Sequence, residues 1–71
     1  MTESKKAKFK RLAELRGERI LKDLQLLSNL SNRNNYEYSE GDVKLIFSTI
    51  EEELRLSKMR FQQKKKRGIN L

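Results

Sequence analysis

The strongest constraint on this chain is that apolar residues recur every three or four positions in two long runs, with one polar stretch between them. In the first run Phe9, Ala13, Ile20, Leu24 and Leu27 share a face, while Arg11, Glu18, Lys22, Gln25 and Asn29 fall opposite. In the second, Val43, Ile46, Phe47, Ile50, Leu54 and Phe61 line one stripe, with Ser57 among them. This spacing predicts helices over about residues 4–29 and 40–66. Gly17 interrupts the first at a cost of about 1 kcal/mol relative to alanine. It is either a tolerated interior glycine or a place where a second helix comes close.

The polar stretch between the runs is SNRNNYEYSE, residues 31–40. Its second half reads as a helix start. Ser39 suits an N-cap, Asp42 stands three positions later as in a capping box, and Tyr38 and Val43 occupy the two positions of a hydrophobic staple. Its first half is open to two readings. Asn32, Arg33, Asn34 and Tyr36 offer hydrogen-bonding groups and a stacking ring for recognition. Asparagines also serve a turn, because they tolerate left-handed backbone and bond to their own main chain.

A connection of about nine residues permits an antiparallel two-helix hairpin. Matching the stripes outward from the loop sets Leu24 near Phe47, Ile20 near Ile50, Gly17 near Leu54 and Phe9 near Phe61, with Arg16 close to Glu53. The fold class expected is therefore all-α, with the 71 residues forming one small domain. A chain of this size buries only about 60% of its unfolded surface, and two helices lack a second layer. Leu12, Leu15, Leu26 and Leu30 beside the first stripe, with Leu45, Leu56 and Met59 on the far side of the second helix, supply apolar surface for a homodimeric four-helix bundle. A different protein is the other occupant such a surface would suit. Pairs with favourable i,i+4 order, Glu18–Lys22, Glu40–Lys44 and Glu51–Arg55, are expected to support the helices. Gly68 is the expected stop of the second helix, ahead of a partly disordered basic tail at about 64–71.

Formal net charge is +7, and its distribution says more than its size. Residues 1–22 hold eight Lys and Arg against three acids, residues 23–57 three against seven, and residues 58–71 six against none. Folding back at the acidic middle would bring the basic ends to one pole. Lys5, Lys6, Lys8, Lys10 and Arg11, with Lys58, Arg60, Lys64, Lys65, Lys66 and Arg67, are thus the candidate phosphate contacts. They would bind nucleic acid in a salt-dependent, largely sequence-independent way. An anionic membrane surface is a lesser alternative, since a basic amphipathic helix can lie in an interface.

Much chemistry has no residues to carry it. The chain lacks Cys and His, which removes disulfides, thiolate or imidazole metal sites and the familiar nucleophile–base pairs. Glu51, Glu52 and Glu53 point about 100° apart on a helix and do not converge on one cation. No enzymatic activity, cofactor or metal is expected. No apolar run approaches a membrane span, and MTESKKAKFKR has no apolar core after its charges, unlike a signal peptide. Lack of cysteine fits a cytoplasmic location.

From Leu27 to Phe61 the run LSNLSNRNNYEYSEGDVKLIFSTIEEELRLSKMRF resembles a pattern found in small uncharacterised proteins of bacterial genomes and mobile elements. The matching positions are Asn29, Leu30, Ser31, Asn32, Tyr36, Glu37, Tyr38 and Ser39, with Gly41 departing where an acid would suit the first helical turn. The resemblance implies a prokaryotic, phage- or plasmid-borne origin and a small regulator or inhibitor. As an inhibitor, the chain would grip a host or phage protein through its apolar shoulders or its 31–38 loop.

Overall fold

The computed structural model describes residues 3–66, with side chains through residue 62. Helix α1 spans Lys5–Ser28, a 3-10 turn follows at Asn29–Ser31, and helix α2 spans Glu40–Lys66. Among the described residues there is no strand. The expected all-α class with two helices is what forms. The chain divides into two compact units between Glu37 and Tyr38, taken here in turn.

The first unit starts with a cap that the apolar spacing does not reveal. Ser4 has extended backbone (φ −70°, ψ 161°), and its hydroxyl accepts from the Ala7 N–H at 3.0 Å. The Ser4 carbonyl accepts the Lys8 N–H at 2.9 Å. One otherwise orphaned amide of the first turn is thereby satisfied. At the other end the Asn29 N–H reaches the carbonyls of Gln25, Leu26 and Leu27, tightening α1 into the 3-10 turn. The helix expected to residue 29 therefore ends at Ser28, and Leu30, assigned to its shoulder, lies in that turn.

Along α1, Leu12, Gly17, Leu24 and Leu27 are half-buried and the remaining side chains exposed. A Cβ added at Gly17 would meet nothing within 4 Å. Within the first unit, therefore, nothing crowds Gly17.

The loop is organised by one residue. The Asn32 side-chain oxygen accepts the Asn34 N–H at 2.9 Å, while its carbonyl accepts the N–H groups of Asn35 (3.1 Å) and Tyr36 (3.0 Å). This is an Asx-turn laid over a backbone turn. No non-glycine residue described has positive φ, so asparagine is used for its acceptor and not for left-handed backbone.

The second unit opens with the expected capping box. The Ser39 N–H donates to Asp42 Oδ2 at 3.0 Å and the Asp42 N–H donates to Ser39 Oγ at 3.1 Å. The first turn also carries Glu40, whose charge favours the positive end of the helix dipole. Farther along, the hydroxyls of Ser48 (3.1 Å) and Thr49 (2.7 Å) donate to the Leu45 carbonyl, which satisfies polar side chains within the helix itself. The helix continues through Lys66, the end expected of it; Arg67, Gly68 and the rest of the expected basic tail lie outside the described residues.

Candidate nucleic-acid interface

The basic candidates at the start of α1 are placed by the Ser4 cap, which fixes where the helix begins and hence where each side chain leaves it. At about 100° per residue, Lys5, Lys6, Lys8, Lys10 and Arg11 emerge on all sides of the first two turns. All are exposed. They form a collar around the helix rather than one flat face, an arrangement suited to phosphates approached from several directions.

Arg11 differs from the lysines. Its Nε and Nη2 donate to Glu3 Oε2 and Oε1 at 3.0 and 3.1 Å, a fork-on-carboxylate geometry that spans eight residues. The reach is possible because Glu3 precedes the extended Ser4 and helical side chains lean toward the N-terminus. Arg11 would have to exchange a carboxylate for a phosphate, whereas the lysines would not.

On α2, Lys58 and Arg60 are exposed and leave the helix on nearly opposite sides. Lys64, Lys65 and Lys66 occupy the last turn, while their side chains, and Arg67, lie outside the described residues. Bases in the last turn complement the negative end of the helix dipole.

Charges elsewhere on α2 are held locally. Arg55 donates from Nε and Nη2 to Glu52 at 3.1 and 2.7 Å and from Nη1 to Met59 Sδ at 3.2 Å. Its partner is thus Glu52, one turn back at i,i+3, and not Glu51 as the spacing suggested. The hydrogen bonds from Arg55, and then its charge, hold the Glu52 carboxyl below its usual range, and the same contact raises Arg55. Asp42 is likewise lowered, first by the Ser39 backbone N–H and then by the Ser39 side chain. Glu18–Lys22 and Glu40–Lys44 are not among the ion pairs that form.

The loop candidates divide in two. Asn32 is consumed by the turn it builds, with side-chain oxygen and carbonyl both occupied. Arg33, Asn34 and Tyr36 are exposed on its surface. Tyr38 is half-buried beside the Ser39 cap.

The apolar candidates are Leu12, half-buried, and Leu15, Leu26, Leu30, Leu45, Leu56 and Met59, all exposed. No described residue is fully buried, and the main stripes are open as well, with Phe9 at 60% and Phe61 at 67% exposure. Helical spacing also sets Lys8, and two bases not among the candidate contacts, Arg19 and Lys22, on one stripe with Leu12, Leu15 and Leu26. Counting at 100° per residue would have found them; the eye follows the leucines instead.

Among the described residues no group of acids is arranged to hold a metal ion, and no helix is long and apolar enough to cross a membrane. Comparison of the chain with protein-family models, with curated proteins and with solved structures returns no match.

Proposed function

We propose that this is a non-enzymatic nucleic-acid-binding protein whose two helices close into an antiparallel hairpin, pair with a second copy, and hold phosphates with the basic helix ends. The observation that carries this reading is the matched placement of charge and helix length. Helix α1 opens on its lysines and α2 closes on its lysines. Their 24 and 27 residues correspond to about 36 and 40 Å, so a hairpin turned at the loop brings the two basic ends level. Within the described part of that pole, Lys5, Lys6, Lys8, Lys10, Lys58 and Arg60 are exposed, as counterion-releasing contacts must be.

The register that levels the ends also matches side chains by size. It sets Gly17 beside Leu54 and Ala13 beside Ser57, while Leu24 meets Phe47 and Ile20 meets Ile50.

The test is binding of generic duplex DNA and single-stranded RNA across a salt series. Affinity should fall steeply with salt. Replacing Lys64, Lys65, Lys66 and Arg67 by glutamine should lower the log–log salt slope by up to about 4, one unit per lost phosphate contact. Absence of binding at low salt would refute the proposal.

A second reading rests on the exposed apolar shoulders, Leu15, Leu26, Leu45, Leu56 and Met59 among them: a protein-interaction module, mobile-element encoded, that seats a host or phage protein on them or on its 31–38 loop. It expects the glutamine changes to matter little and substitutions at Leu15, Leu45, Leu56 or Met59 to abolish capture.

A further inference from the structure

We infer that the α1 shoulder of one copy lies antiparallel on the far face of α2 of a second copy, with Arg19 opposite Glu52 at the centre. This specifies the self-association in the reading above and rests on that part of it.

The two faces share a spacing. On α1, Lys8, Leu12, Leu15, Arg19, Lys22 and Leu26 follow alternating steps of four and three, the repeat of a helix–helix seam. On α2, Leu45, Thr49, Glu52, Leu56 and Met59 do the same. That far face lies nearly opposite the Val43–Phe61 stripe, so the neighbour that covers one cannot cover the other. Leu15, Leu26 and Leu45 are 50, 55 and 67% exposed.

Charge chooses the occupant. Two α1 shoulders laid together would bring Lys8, Arg19 and Lys22 against one another, whereas the far face of α2 offers an acid at its middle. In one antiparallel register Leu12 meets Met59, Leu15 meets Leu56, Arg19 meets Glu52, Lys22 meets Thr49 and Leu26 meets Leu45. The flanking positions then set Glu18 beside Arg55, opposite charges, and no flanking pair is of like charge. A one-turn slip loses the Arg19–Glu52 match and sets charge against leucine. Glu52 already accepts from Arg55, and a carboxylate has lone pairs for a second guanidinium. The contact is reciprocal, so a twofold dimer uses both shoulders and both far faces.

The test is sedimentation equilibrium of the full chain, without nucleic acid, on Arg19→Glu, on Glu52→Arg, on the two variants mixed, and on the double variant. Each single reversal places like charges at both reciprocal contacts and should weaken association about tenfold. Mixing the two singles should restore it, because the mixed dimer has opposite charges at both contacts. Rescue in the double variant but not in the mixture would place the pairing within one chain and overturn the inference. A wild-type dimer indifferent to all reversals would overturn the inference while leaving self-association standing; a wild type monomeric at every concentration would overturn both.

Circular dichroism checks each variant for helix. Should one lose it, the cysteine-free background allows a second measurement: Leu15→Cys and Leu56→Cys, mixed and oxidised, should link to each other in preference to their own kind. Equal or preferred self-linking would overturn the inference.

Discussion

Gly17→Ala is the substitution whose sign follows most directly from the structure. Glycine inside a helix leaves the unfolded chain unusually free and costs about 1 kcal/mol against alanine. Position 17 lies well inside Lys5–Ser28, and within the first unit an added Cβ meets no atom within 4 Å, so α1 itself sets no steric penalty against the gain. The variant should be more stable by about 0.8–1 kcal/mol. For a chain of this size that corresponds to a rise in Tm of about 4–8 °C. Thermal unfolding followed by far-ultraviolet circular dichroism, at two protein concentrations, measures it. A fall in Tm would refute the reasoning. It would mean that a neighbouring helix approaches within a methyl's width of Gly17, where overpacking costs about 1–3 kcal/mol.

Two further outcomes concern the joint between the helices. Ser39→Ala should cost about 1 kcal/mol through loss of the cap. Because the Asp42 pKa is depressed in the folded chain, its contribution is full above the unfolded value of about 3.9 and lost as pH falls through the lower folded value. Protection of the Ser39 amide against hydrogen exchange, taken relative to its intrinsic rate at each pH, should therefore fall in acid in the wild type and be low already at neutral pH in Asp42→Ala. Asn32→Ala should expose the Asn34 amide to exchange while those of Asn35 and Tyr36, which rest on the residue 32 carbonyl, stay protected; Asn32→Asp, which keeps the acceptor, should protect all three.

Legibility in the sequence followed the range of each interaction. The Ser39–Asp42 box was readable because three residues decide it and few alternatives compete. The Ser4 cap operates over the same span but precedes a lysine run with no Glu at the third position, so the box pattern never appears. Arg55 had acids available at both i−3 and i−4, and spacing alone does not choose between Glu52 and Glu51; the bidentate geometry and the Met59 sulfur on the same side decide it. Glu3–Arg11 was invisible because no periodic rule joins a residue outside a helix to one two turns in. Of the two properties that suit asparagine to a turn, Asn32 uses its bond to the main chain and not its tolerance of left-handed backbone.

The interleaving of bases with leucines on α1 links the two proposals. A leucine shoulder carrying Lys8, Arg19 and Lys22 is a poor surface to bury against itself and a good one to bury against an acid-bearing face. If α2 of a second copy covers it, Arg19 is neutralised at the centre of the contact and no longer contributes to phosphate binding. Phosphate contacts then fall to the collar at Lys5–Arg11 and to the end of α2, which lie beyond the last matched layer, Leu12 with Met59. Apolar residues and opposite charges would hold the middle of the helices together, and the bases at their ends would face the polyanion. The division matters because a dimer whose affinity for itself depended on the same lysines that hold nucleic acid would be pulled apart by its own ligand. In that pairing the matched charge at Arg19 and the collar at Lys5–Arg11 would be separated by more than a helical turn along α1, so association and binding could proceed together.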